Sequence, residues 1–137
     1  MAAPAHVGKR ILIIDDDMST LELMSTILGC EGYRVAAARN GLDGIDRLHT
    51  YEKPDLILLD LKMPGMDGQG FCQARRKDQG WATIPLVVLS AAEDVAAQAS
   101  KLAAVAYLRK PVDTLKLLTL VRQHCGKPAA ADAPANG

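Results

Sequence analysis

Residues 11–17 read Ile-Leu-Ile-Ile-Asp-Asp-Asp, an abrupt change from large apolar side chains to carboxylates. An apolar run this short and continuous is the signature of a strand buried on both faces, which places it in a parallel sheet covered by helices on each side. Similar runs recur along the chain, and five strands can be placed: Ile11–Ile14, Tyr33–Ala38, Leu56–Leu59, Ile84–Leu89 and Val105–Arg109. The second is poor in β-branched residues and is expected nearer an edge.

Amphipathic stretches fill the gaps. Leu21, Leu23, Met24, Ile27 and Leu28 form a helical stripe after the first strand, with Gly29 and Gly32 where that helix should stop. Leu42, Ile45 and Leu48 mark a second helix, and a third runs from near Asp67 toward Lys77 with Phe71 and Ala74 inward and Gly68 and Gly70 loosening its first turn. Glu93 and Asp94 suit the first turn of a fourth helix, and Leu115, Leu118 and Val121 line a fifth. This alternation is the βα pattern of an α/β domain.

One domain is expected over residues 9–126. Residues 1–8 are featureless, and 127–137 (Lys-Pro-Ala-Ala-Ala-Asp-Ala-Pro-Ala-Asn-Gly) carry no large side chain to bury. Both ends read as disordered, the second as a tail or the start of a linker.

At 137 residues, 49% apolar and 23% charged, the chain has enough core for one globular domain without cross-links. Sixteen Lys and Arg balance sixteen Asp and Glu, so no overall field draws it to nucleic acid or an anionic membrane. The aromatics Tyr33, Tyr51, Phe71, Trp81 and Tyr107 are too scattered to stack bases. Cys30, Cys72 and Cys125 lie far apart and read as reduced thiols rather than a disulfide framework or zinc site. The longest apolar run, Leu102–Leu108, is too short to span a membrane, and the four apolar residues after Lys9 and Arg10 are too few for a signal-peptide core. A cytoplasmic protein without direct nucleic acid or membrane contact is expected.

In a parallel sheet every carboxyl end lies along one edge, and ligands bind just outside it. The first strand runs into Asp15, Asp16 and Asp17, the third into Asp60, the fourth into Ser90 and the fifth into Lys110. Clustered carboxylates repel one another unless a cation joins them, and oxygen-only ligands select a hard ion, Mg²⁺. His6, His49 and His124 fall elsewhere, so a transition metal is not expected. A cation, the Ser90 hydroxyl, the Lys110 ammonium and the start of the following helix together suit a phosphoryl group. A carboxylate can itself accept that group, and Asp60 is the best placed to do so.

These residues carry a family resemblance. The strings Ile11-Leu-Ile-Ile-Asp-Asp-Asp17, Asp55-Leu-Ile-Leu-Leu-Asp-Leu-Lys-Met-Pro-Gly-Met-Asp-Gly68, Val87-Val-Leu-Ser-Ala91 and Tyr107-Leu-Arg-Lys-Pro111 resemble the CheY-like receiver domain of two-component response regulators. The resemblance implies a flavodoxin-like (βα)5 three-layer sandwich with a five-stranded parallel sheet of order 2-1-3-4-5. It further implies that a histidine kinase or phosphotransfer protein phosphorylates Asp60, that Asp15, Asp16, Asp60 and the Lys62 carbonyl hold Mg²⁺, and that Ser90 and Lys110 contact the phosphoryl group. The Lys110–Pro111 bond would be cis. Ser90 and Tyr107 would form the switch that reshapes the surface of the fourth helix, fifth strand and fifth helix toward an unidentified downstream protein, the domain itself being a monomer or weak homodimer. Such a domain catalyses only its own phosphorylation and dephosphorylation.

The chain departs from the family pattern in places. The stretch from Ser90 to Lys110 is slightly short, and Ala104-Val105-Ala106 replaces a glycine-containing turn. Lys62 and Ala92 stand two residues beyond Asp60 and Ser90, where neither orients a hydrolytic water, so slow self-hydrolysis is expected.

Other readings compete. Asp15–Asp17 could cap the first helix, and Asp17 has no family role beyond that. Ser90 alone reads as a cap, Lys110 alone as a solvated lysine, Tyr107 as ordinary packing and Arg75-Arg76-Lys77 as a solvated helix face. Gly65, Gly68 and Gly70 lack dinucleotide-binding spacing. Asp15-Asp16-Asp17-Met18-Ser19 is a near miss to the signature of Mg²⁺-dependent haloacid-dehalogenase phosphohydrolases, in which Asp15 would be the nucleophile. A phosphorylation-independent scaffold on the same fold is the second alternative, and flavin binding a weaker third.

Overall fold

The computed structural model describes residues 9–50, 53–61 and 68–126. Five strands, β1 (Arg10–Ile14), β2 (Arg34–Ala38), β3 (Leu56–Asp60), β4 (Leu86–Ser90) and β5 (Ala106–Arg109), form one parallel sheet of order β2-β1-β3-β4-β5. Helices α1 (Met18–Cys30), α2 (Gly41–Thr50), α3 (Gly68–Arg76), α4 (Gln79–Ala82), α5 (Val95–Lys101) and α6 (Thr114–Cys125) connect them. This is the expected flavodoxin-like sandwich. Residues 1–8 and 127–137, together with Lys62, Gly65 and Asp67, lie outside the described residues.

The continuous apolar strands are explained by burial on both faces. Ile11 and Ile13 pack with Leu21, Met24 and Leu28 of α1 and Leu117, Val121 and Cys125 of α6, while Leu12 and Ile14 face Leu48, Phe71, Cys72, Val95 and Ala99 from α2, α3 and α5. Each fully buried Leu or Ile contributes about 1.5–3 kcal/mol relative to exposure, so the central strands carry much of the core. Strands β3 and β4 are buried throughout, whereas β2 and β5 are only partly buried because each is an edge.

Several expectations need correction. The short α4 was not expected, since four residues are too few to show a helical period; Asp78 caps it by accepting from Gly80 N and Trp81 N at 2.8 and 3.1 Å. Helix α5 begins only at Val95, so Glu93 and Asp94 precede its first turn, and Asp94 makes no capping bond. Gly29 lies inside the last turn of α1, and Gly32, at φ 100°, makes the reversal into β2. Leu42 and Leu115 are 61% and 75% exposed: the inward lines are Gly41, Gly44 and Leu48 on α2 and Leu117, Val121 and Cys125 on α6.

Arg75 is buried rather than solvated. Its guanidinium donates from Nη2 to Ala82 O at 3.2 Å and Ile84 O at 2.6 Å, tying α3 to α4 and the entry of β4. Arg76 and Lys77 are exposed, as expected.

Gly68 opens α3 where the chain passes closest to β3. A Cβ there would lie 2.7 Å from Leu61 Cα and 3.0 Å from Asp60 O, against backbone that cannot rotate away. Gly68→Ala is therefore expected to destabilise the fold by about 1–3 kcal/mol, read as a lowered urea midpoint with unchanged slope.

Candidate functional site

Parallel register brings the predicted side chains to one sheet edge. β1 ends at Ile14 and hands on to Asp15, whose N–H donates to Ala38 O at 3.0 Å; Asp60 closes β3, Ser90 closes β4, and Lys110 follows β5. The strand ends stay locked beyond the last ladder pairs, with Leu61 N donating to Leu89 O at 3.2 Å and Lys110 N to Ser90 O at 3.0 Å.

Asp15 has no exposed surface and Asp60 is 5% exposed, while Asp16 faces solvent. One carboxylate oxygen from each of the three lies within 4.8 Å of the others. Lys110 Nζ donates to Asp15 Oδ2 at 2.8 Å and stands 3.5 Å from Asp60 Oδ1. Burial pulls the Lys110 ammonium toward neutrality, but the Asp15 hydrogen bond and the charges of Asp15 and Asp60 outweigh it and hold its pKa above the usual lysine value.

Among the described residues, three carboxylates against one ammonium leave a formal charge of −2, which a divalent cation balances. The donors are hard oxygens, two at the base of the site and one at its open side, where water can complete a coordination shell. The residues therefore fit Mg²⁺, with Asp15, Asp16 and Asp60 able to hold it; the Lys62 carbonyl lies outside the described residues.

Asp17 turns away from this group and caps α1. Its carboxylate accepts from Thr20 Oγ1 at 2.8 Å and Ser19 N at 3.1 Å, bonds that hold its pKa below the ordinary aspartate value. Asp17 N in turn donates to Asp15 Oδ1 at 3.0 Å, so the cap also orients the buried carboxylate.

Ser90 is buried, and its Oγ accepts from Ala92 N at 3.0 Å. This local turn uses an acceptor lone pair and leaves the hydroxyl proton available for another acceptor. Ser90 does not cap α5. Tyr107 is 41% exposed, on the outer edge of the sheet. The Lys110–Pro111 bond is cis.

The profile described as the response regulator receiver domain matches residues 11–122. The chain is a response regulator receiver domain. The DNA-binding dual master transcriptional regulator RpaA of Synechocystis sp. is 41% identical over 115 residues, covering 82% of the receiver domain's chain and 47% of RpaA. The DNA-binding response regulator MtrA of Mycolicibacterium paratuberculosis is 35% identical over 116 residues, covering 83% of this chain and 50% of MtrA. Among solved structures, the chemotaxis response regulator CheY4 of Vibrio cholerae is 26% identical with a TM-score of 0.77, covering 84% of this chain and 97% of that one. The chain thus spans about half the length of the curated relatives it matches. Phosphorelay signalling is the function of the receiver domain, and the haloacid-dehalogenase reading is not favoured.

One residue of the site region was missed from sequence. Arg109 reaches from β5 to the carbonyls of Ala92 and Glu93. That contact has no local sequence signal, because it depends on which strand ends are neighbours, whereas the bond from Asp17 N to Asp15 is a local turn. No helix among the described residues is long and apolar enough to cross a membrane.

Proposed function

We propose that this domain, over residues 9–126, takes a phosphoryl group onto Asp60 from a histidine kinase or a phosphotransfer protein in the cytoplasm. The observation that carries the proposal is the convergence of Asp15, Asp16, Asp60 and Lys110 on one small site at the carboxyl edge of the sheet. A carboxylate oxygen of Asp60 attacks phosphorus, forming a P–O bond; the bond from phosphorus to the donor nitrogen breaks, and its electron pair leaves with the donor. Lys110 neutralises a phosphoryl oxygen, and Ser90 donates its hydroxyl proton to another. Asp15, Asp16 and Asp60 would hold Mg²⁺, which when bound would supply charge stabilisation for the transferring group.

The modified Asp60 carries added charge and acceptor oxygens beside Ser90. Ser90 moves to meet them, Tyr107 turns from its exposed position into the space released, and the surface formed by α5, β5 and α6 changes toward a downstream protein. The domain acts as a monomer or weak homodimer and signals by protein contact rather than by binding nucleic acid itself. Its only catalysis is its own phosphorylation and dephosphorylation.

The reading is tested by intact-mass measurement after incubation with acetyl phosphate. One phosphoryl adduct is expected in Mg²⁺ and none in EDTA; absence of label in Mg²⁺ would overturn it. Loss of the adduct after removing the donor should take minutes rather than seconds, since Ala92 offers no side-chain group to orient water. A lifetime of a few seconds would contradict that expectation.

A further inference from the structure

Arg109 is the one strand-end side chain of β5 that the phosphoryl site does not use directly, and it is not idle. Its Nη1 donates to Ala92 O at 3.3 Å and its Nη2 to Glu93 O at 3.2 Å. Alternation along β5 sends Leu108 into the α6-side core, so Arg109 and Tyr107 share the α5 side. The planar guanidinium therefore grips two successive carbonyls of the segment between β4 and α5, a fork geometry that a lysine cannot reproduce.

That segment also holds Ser90. Ala92 presents both of its backbone groups to the arrangement: its N–H donates to Ser90 Oγ at 3.0 Å and its carbonyl accepts from Arg109. Arg109 and Ser90 are register partners across the β4–β5 ladder, and the next bond, Lys110 N to Ser90 O at 3.0 Å, continues it. One short stretch of β5 thus braces the backbone around Ser90 from two directions, through the strand ladder and through the loop that follows it.

We propose that Arg109 is a positioning residue for phosphoryl transfer, acting through Ala92 to hold the Ser90 hydroxyl in donor geometry. The proposal rests on the reading of Asp60 as acceptor. With the Ala92 N–H filling an acceptor position on Ser90 Oγ, the hydroxyl proton is directed to the remaining partner, an oxygen of the phosphoryl group. Without the fork, the Ala92 and Glu93 carbonyls lose their partner, the Ala92 N–H bond to Ser90 Oγ is left to hold the segment, and the hydroxyl samples orientations that do not donate. Formation and hydrolysis of the aspartyl phosphate both need stabilisation of a phosphoryl group in transfer, so both steps should slow together.

The test measures phosphorylation by acetyl phosphate and the subsequent decay, at saturating Mg²⁺, in the full chain. Arg109→Met is expected to slow both rate constants by roughly five- to tenfold, as a mispositioned donor would. Mg²⁺ affinity by calorimetry and the urea midpoint should be unchanged, and Arg109→Lys should recover part of the rate. In a Ser90→Ala background, Arg109→Met should cost no further rate, a result that a merely structural role would not give. Wild-type rates in Arg109→Met, or the same slowing with Ser90 removed, would overturn the positioning role alone. A wild-type chain that takes no label would overturn the acceptor reading and this role together.

Discussion

Asp60→Asn is expected to reduce labelling by acetyl phosphate at least about 10³-fold, a loss of roughly 4 kcal/mol in barrier height. The amide keeps the size of the side chain but has no anionic oxygen to attack phosphorus. Folding should survive, because the change removes one of three mutually repelling carboxylates while Asp15 retains its 2.8 Å contact with Lys110. Unchanged or slightly raised urea stability would thus accompany the chemical loss. Asp15→Asn should behave differently, weakening Mg²⁺ binding and slowing the reaction without abolishing it. The reverse ranking would revive the hydrolase reading, in which Asp15 is the nucleophile.

Lys110→Met should give the largest effect on stability. Among the described residues Lys110 is the cation that faces both Asp15 and Asp60, and Asp15 has no exposed surface through which water could take its place. Removing one partner of such a buried pair is expected to cost about 2–4 kcal/mol in EDTA. Adding Mg²⁺ should restore part of the loss, since an ion that binds only the folded state stabilises it by mass action. Asp15→Asn in the same chain should rescue stability without metal, because it removes the charge left uncompensated. Urea titrations of the single and double variants with and without Mg²⁺ check this; equal stability of Lys110→Met and wild type in EDTA would refute it.

How much could be read without coordinates depends on what kind of information each feature uses. The strands were legible because burial on both faces leaves an unbroken apolar run, and a parallel sheet then places Asp15, Asp60, Ser90 and Lys110 on one edge by topology alone. The weak second strand was expected at an edge and lies there. Helix faces were less legible: Leu42 and Leu115 extend plausible stripes but point to solvent, because glycines on α2 and a line of Leu117, Val121 and Cys125 on α6 turn each helix by part of a revolution. Arg75 looks like its solvated neighbours Arg76 and Lys77 until α4 and β4 arrive with carbonyls to accept from it. Arg109 is the same kind of case, a charged strand residue whose partners lie on a loop that only the fold brings close.

The most direct test of Asp60 as acceptor is to trap the adduct chemically. Borohydride reduces an aspartyl phosphate to homoserine, and peptide mass spectrometry then locates the modified position after labelling in Mg²⁺. Homoserine at position 60 and at no other carboxylate is the predicted result. Homoserine at position 15, or a labelled protein with position 60 unmodified, would contradict it.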